Sequence, residues 1–212
     1  MKVAPPQLPP DLAEAGVSDF VAEASLEACR LYDVDLNSVD ARTISLDEVV
    51  LEKAILAEAN LEKLAARDVV VKNCDISAAI CTEASFRRTS FEGGRMTGLD
   101  CNKTIFKDVT FTGCKLDMMN FRFATFVRVT FIDCVLTDAD FLGAELSDVA
   151  FNNCLLERTE FVHGKMKHVD LRTSQLNEIK GWQYLKGATI DGIQLMASAP
   201  HLAHELGIKV LG

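Results

Sequence analysis

A chain of 212 residues, 49% apolar and 25% charged, is long enough for one or two domains. Its net charge of −9, with one Trp and two Tyr, argues against direct nucleic-acid binding. No apolar run approaches the roughly 18 residues of a membrane span. Nor does a basic start followed by an apolar core mark a secretory signal. A cytoplasmic protein without membrane contact is expected.

Four of the five prolines fall in residues 1–10, which read as a flexible lead-in. Residues 11–25 contain Leu12, Ala13, Ala15, Val17 and Phe20 without the periodicity of the later chain. They are expected to cover an open end of the fold, so residues 1–25 form a lead-in and an N-terminal cap.

From Leu26 the chain keeps a beat of five. Stepping by five to Leu176 visits 31 positions: 13 are Leu, ten are Phe, and the others are Ala, Val, Ile, Cys or Met. At this composition chance agreement is on the order of one in a billion, so the period belongs to the chain. Two residues before each such centre sits a second, mostly smaller residue: Ala124 before Phe126, Cys134 before Leu136, Ala144 before Leu146. Where it is large the centre is small, as with Leu64 before Ala66 and Leu99 before Cys101, the compensation a packed interior demands.

Neither a helix nor a flat strand has this period. A chain that turns a corner every five residues does, and four corners bring it back after 20. A longer phrase therefore recurs: Val109-Thr110-Phe111-Thr112-Gly113-Cys114-Lys115-Leu116, then Val129 to Leu136, then Val149 to Leu156. Each return lays one rung on the last at the β spacing of roughly 4.8 Å, so about eight rungs make a stack roughly 35–40 Å long.

The units Ala59-Asn60-Leu61, Ala139-Asp140-Phe141-Leu142-Gly143 and Ala144-Glu145-Leu146-Ser147-Asp148 resemble the A-(D/N)-(L/F)-x-x unit of pentapeptide repeat proteins. The resemblance spans roughly residues 24–178. It implies an all-β solenoid: a right-handed quadrilateral β-helix of about eight four-sided coils, with the centre and the residue two before it pointing inward. The motif is a folding motif and assigns no activity.

Residues 45–68 carry a competing signal. Ser45-Leu46-Asp47-Glu48 resembles a helix-capping box, and Ala, Leu, Glu and Lys dominate the stretch after it. Yet Leu46, Leu51, Leu56 and Leu61 keep the beat in step with both flanks, which favours the β-helix. The repeat is assigned to residues 26–190.

The beat breaks at Gly181-Trp182-Gln183-Tyr184 and resumes one residue late, with Leu185, Ile190 and Leu195 as centres of a loose final rung. Residues 191–212 are read as a helical cap, with Asp191 as N-cap, two short helices meeting near Ala199 because of Pro200, and Gly207 ending the second. Ile193, Met196, Leu202 and Leu206 supply an apolar stripe, expected to cover the last rung and to join two subunits in a homodimer.

No catalytic constellation is present: no Walker loop, Gly-x-Ser-x-Gly, dinucleotide fingerprint or His-Glu-x-x-His. His201, His204 and Glu205 read as surface polarity of a helix, and His163 and His168 fall on different sides. Catalytic, metal-binding and cofactor-binding residues are therefore expected to be none, and no cofactor is implied. Of seven Cys residues, Cys74, Cys114, Cys134 and Cys154 share one inward column with Gly94. Without Cys-x-x-Cys pairs they read as small buried apolar residues of a reducing compartment.

The surface carries three signals. Residues 1–62 hold 13 acidic and four basic residues, which accounts for the whole net charge, since the remaining 150 hold 18 of each. One corner gathers Arg67, Arg87, Arg88, Lys107, Arg128 and Lys167. Between the fifth and seventh rungs Met118, Phe123, Val127, Ile132, Leu142 and Val162 put apolar groups at outward positions, a candidate interaction surface. The expected function is that of a non-enzymatic protein-interaction scaffold with an unassigned protein partner. The resemblance implies an alternative, because one branch of the family mimics duplex DNA and binds DNA gyrase, giving fluoroquinolone resistance. Against it, the acid is confined to one end, and no projecting loop interrupts residues 26–176.

Overall fold

A computed structural model describes residues 2–205 and 207–209. The strands in chain order are β1 (Ala13–Glu14), β2 (Ser25–Glu27), β3 (Cys29–Tyr32), β4 (Ser45–Asp47), β5 (Val50–Glu52), β6 (Ala65–Lys72), β7 (Ser85–Glu92), β8 (Ile105–Thr112), β9 (Thr125–Ile132), β10 (Glu145–Asn152), β11 (Lys165–Asp170) and β12 (Ala188–Thr189). One helix, α1 (Gly192–Glu205), comes after them. From β2 to β11 every strand pairing is parallel with a 20-residue register, as in Phe91 to Phe111 and Phe111 to Phe131. Isolated bridges with the same register build the other two sides, as in Asp75 to Arg95 and Asp100 to Asn120. The result is a four-sided solenoid whose full coils begin at Ser25, Ser45, Ala65, Ser85, Ile105, Thr125, Glu145 and Lys165. Partial rungs from β1 and β12 bring it to about nine turns.

The five-residue beat has a backbone cause. Every fifth residue from Glu23 to His168 has a positive φ, and only Gly93, Gly98, Gly113 and Gly143 among them are glycines. These are the corners. At Leu56–Ala59 and Leu61–Leu64 the fourth residue's N–H donates to the first residue's carbonyl at 3.2 and 3.1 Å, with Glu58 and Lys63 left-handed at the third place, the pattern of a type II turn. The Asp or Asn before a centre braces such turns. Asp75 accepts from Ser77 N at 3.0 Å, Asp100 from Asn102 N at 3.0 Å and Asp140 from Leu142 N at 2.8 Å.

All 31 centres except Met166 are buried. Phe111 stacks on Phe131 at 4.8 Å and Phe131 on Phe151 at 4.7 Å between ring centroids, planes 4° apart in both cases. Phe121, Phe141 and Phe161 form a second pile, at 4.8 and 5.1 Å. Residues 45–68 follow the coil rather than a helix, as their register required. At several coils the inward residue two before the centre reaches the preceding coil with a side-chain donor. Thr104 Oγ1 donates to Cys81 O at 2.6 Å, Thr159 Oγ1 to Leu136 O at 2.9 Å and Ser174 Oγ to Phe151 O at 2.9 Å. Cys114 and Cys134 place their thiols the same way, on Phe91 O and Phe111 O, both at 3.5 Å.

The two ends are closed differently. Phe20, fully buried, plugs the first coil, and β1 adds a partial strand alongside β3. The segment ahead of it, expected to be a free lead-in, instead lies against the rod: Gln7 N donates to Asp68 Oδ1 at 2.9 Å. Its prolines stiffen the chain enough to be laid along a surface at little further entropic cost. At the far end Gly187, with φ of 102°, lets β12 approach so closely that any Cβ there would run into the Met166 carbonyl.

The C-terminal expectations need three corrections. First, α1 is one helix with Pro200 inside it, not two. Proline forfeits one intrahelical bond, and the helix is tied at both ends. Asp191 and Gln194 cap each other reciprocally, at 2.8 and 2.9 Å. Glu205 accepts from Gly181 N and Trp182 N, both at 3.1 Å. Second, Leu195 is no rung centre; it lies on α1 and is exposed. Third, the helix docks by its polar side. Gln194 and Ser198 are buried, while Ile193 and Met196 are 82% and 77% exposed. Gln194 Nε2 donates to Leu171 O and Ser174 O, both at 2.6 Å. The last coil presents unpaired backbone groups, so polar side chains, not apolar ones, satisfy it. Leu202 is half-buried against the core, and Leu206 lies outside the described residues.

Candidate functional site

The six candidate contact residues do not form one patch. Met118 is at the corner between the third and fourth sides, Val127 on the first side and Ile132 on the second, by their places in the 20-residue register. Phe123, Leu142 and Val162 do come together. Leu142 and Val162 are outward neighbours one coil apart on the fourth side, and Phe123 is at its edge, where Phe123 N donates to Leu142 O at 2.9 Å. Gly181 packs on the backbone of Phe161 and Val162, placing Trp182 at the head of the same side. Tyr184 lies beside His163, ring centroids 4.9 Å apart. An apolar strip thus climbs the fourth side toward α1.

Phe123 is the strip's most unusual residue. It occupies a corner at φ of 56°, a conformation costly for a bulky side chain, and it is 55% exposed. Its ring lies over Gly143, where an added Cβ would come within 2.7 Å of the ring carbons. Below the strip Arg122 pairs with Asp140 at 2.6 Å, so polar residues border the apolar ones.

Three of the six basic residues of the basic corner, Arg67, Arg88 and Arg128, are held in ion pairs. Arg67 pairs with Asp47, Arg88 with Asp68, and Arg128 with Asp108 at 2.6 Å. The corner between the first and second sides reads, coil by coil, Asp68, Arg88, Asp108, Arg128, Asp148, His168. His168 Nδ1 lies 3.1 Å from Asp148. This alternation was visible in the sequence at a step of 20, and charge sums over whole segments obscured it. Burial alone would raise the Asp68 pKa, but the Arg88 guanidinium and the Gln7 N–H outweigh it and hold the carboxyl below 3.8. Arg128 does the same for Asp108, helped by the backbone N–H of Ala4.

The cysteines are all free and buried. Burial pushes the Cys74 thiol up to about 11 and that of Cys81 up to about 12, which makes them poor nucleophiles. Among the described residues no three His, Cys, Asp or Glu side chains are grouped to hold a metal ion. Glu205, read beside His201 and His204, is committed to backbone N–H groups. No described helix is long and apolar enough to cross a membrane.

A family model described as "Pentapeptide repeat region" matches twice, over residues 84–161 and 104–180. The same five-residue unit runs through the fold from Glu23 to His168. The chain is a pentapeptide repeat protein. Among solved structures, two trypsin-treated variants of QnrB1, a plasmid-mediated fluoroquinolone resistance protein, are 20% identical to this pentapeptide repeat protein. They match 93% and 94% of this chain and 95% of theirs, with TM-scores of 0.50 and 0.51. At that identity the likeness is one of fold. HetL from the cyanobacterium Nostoc sp. strain PCC 7120, a pentapeptide repeat protein involved in heterocyst differentiation regulation, is 16% identical. It matches 78% of this chain and 89% of its own with a TM-score of 0.25, too low to bear on the argument. No curated protein sequence matches the chain.

Proposed function

We propose that this pentapeptide repeat protein is a non-enzymatic interaction scaffold whose contact surface is the strip of Phe123, Leu142 and Val162. The supporting observation is Phe123, a large aromatic kept exposed in a strained corner where glycine would fit better. The test is capture from the native host with the wild type and with Phe123→Gly/Leu142→Ser. A partner taken by the first and lost by the second, at equal urea stability, is expected. An identical set of captured proteins removes the strip from the function.

The partner at the C-terminal end is a second copy of the chain. Ile193 and Met196 face outward there, and burying both would favour a homodimer. Ultracentrifugation should give twice the chain mass for the wild type and a monomer for Ile193→Glu/Met196→Glu. A monomeric wild type at 100 μM (about the top of a working range) rejects the dimer. Seven free thiols support a reducing, cytoplasmic setting.

A second reading, a DNA-mimic ligand of DNA gyrase acting in inhibition or fluoroquinolone protection, draws support from the net charge of −9 and the shared fold with QnrB1. A supercoiling assay with and without a fluoroquinolone decides it, and no effect at micromolar protein discards it.

A further inference from the structure

Helix α1 completes the last coil on some of its edge and not on the rest. In the coils below, hydrogen bonds to the next coil follow a fixed scheme. Cys154 O accepts from Gln175 N at 2.9 Å, Leu156 N donates to Gln175 O at 2.9 Å, Arg158 N to Asn177 O at 2.8 Å and Phe161 N to Lys180 O at 3.0 Å. One coil later, α1 supplies two of these four partners from side chains. Gln194 Nε2 takes the place of the amide over Ser174 O, and Glu205 Oε1 that of the carbonyl over Gly181 N. Between them, Leu176 N and Glu178 N have no acceptor among the described residues. Both belong to the third side, and there the helix stands off. An open cleft of about 410 Å3 separates residues 174–178 from Ile193, Ala197 and His201 of α1. Leu176, the last of its leucine column, lines that cleft. Charge follows the same scheme. Arg158 clasps Asp138 through Nε and Nη2, both at 2.7 Å. Glu178 holds the same corner one coil further, with the same left-handed φ, and has no ionic partner among the described residues.

We propose that this cleft takes an extended segment of a partner protein, one with an apolar residue followed two places later by Arg or Lys, laid down as one side of a further coil. Each requirement comes from the scheme. The carbonyls on either side of the apolar residue accept from Leu176 N and Glu178 N, the main-chain pairing by which a sheet edge captures a strand. The apolar side chain continues the column over Leu176 and leaves water. The basic side chain is set over Glu178 as Arg158 is over Asp138. Because Gln194 already serves Ser174 O, the residue ahead of the apolar one needs no N–H of its own. The inference goes beyond the scaffold reading and uses none of Phe123, Leu142 and Val162, so either can fail without the other. Ile193 is shared with the proposed dimer face, and the test separates the two occupants.

The probe is a synthetic peptide of residues 155–160, capped at both ends, which holds the equivalent place over Leu136 and Asp138 within the fold. The full chain is followed by amide NMR. Before peptide is added, the Leu176 and Glu178 amides should exchange with solvent roughly tenfold faster than those of Leu156 and Arg158. Peptide at about 1 mM should shift Leu176 and Glu178 saturably. Peptide carrying Leu156→Asp should leave both unmoved. Peptide carrying Arg158→Gln should bind about threefold more weakly, and Glu178→Gln in the protein should erase that difference. Ala197→Trp fills the cleft from the helix side without altering Gln194 or Glu205, so it should abolish binding while α1 keeps its exchange protection. Absence of shifts, or equal binding by the Ala197→Trp protein, overturns the proposal. So does protection of Leu176 and Glu178 in the chain alone, and protection that grows with protein concentration assigns the cleft to a second copy instead.

Discussion

At the residue scale, inside and outside positions respond oppositely to truncation. Phe131 is stacked on both faces in the core, and Phe131→Ala should cost about 3–5 kcal/mol in a urea melt. Phe123 is as large, but it sits on a corner and is mostly exposed. Releasing a left-handed non-glycine residue gains about 1–2 kcal/mol, and the extra freedom of glycine in the unfolded chain returns about 0.5–1. Phe123→Gly should therefore leave stability unchanged or raise it by up to about 1.5 kcal/mol in the same melt. A loss comparable to that of Phe131→Ala would mean that Phe123 serves the fold, and the contact-surface reading would lose its support. The pair also shows what the alphabet of the repeat conveys: Phe on the beat is interior, and Phe two places later is a corner.

At the element scale, α1 is held by few polar contacts, so its docking is open to a single substitution. Gln194→Ala removes both donors to the last coil and half of the helix cap. The loss of about 2 kcal/mol in docking corresponds to roughly 30-fold faster amide exchange in α1. Exchange in the central coils should not change, because each coil contacts only its neighbours. Uniform acceleration along the rod would show that the helix stabilises the whole molecule.

This element also marks where sequence reasoning stopped working. The coils were legible because each one offers its neighbour the same surface, so one local rule repeated 31 times. Even the helix-like run at 45–68 yielded to register. The last coil has no neighbour, and the rule that apolar residues face inward is reversed for whatever covers its unpaired backbone. Ile193 and Met196 thus face away from the last coil they were expected to cover, and Gln194, to which the sequence reading gave no role, is the anchor. The contact residues dispersed for a related reason: neighbours along the chain within one coil point to different sides of a square, and only a step near 20 keeps them together.

At the scale of the whole molecule, the carboxylates of the charged corner set the acid limit. Asp68 and Asp108 are held below the ordinary 3.8 in the folded state. A depressed folded pKa stabilises fully above the unfolded value of about 3.9, and that contribution fades as pH falls through the folded pKa. The urea midpoint should therefore be insensitive to these groups at neutral pH and drop once pH goes below about 4. Asp108→Asn should lower stability at pH 7 and flatten the drop. A variant as stable as the wild type at pH 7 would show that Arg128 adds nothing to folding.

The same corner bears on a hazard peculiar to repetitive folds. Sliding one half of the rod past the other by a single turn keeps the interior nearly unchanged, since Phe91, Phe111, Phe131 and Phe151 are interchangeable as layers. From Asp68 to Asp148 the charged column changes sign at each turn, so over that stretch its pattern recurs only after two. A slip of one layer within that stretch would bring aspartate over aspartate or arginine over arginine at the junction. The column thus acts as a parity mark on a stack of otherwise equivalent layers, penalising the misalignment that oil-like packing cannot detect.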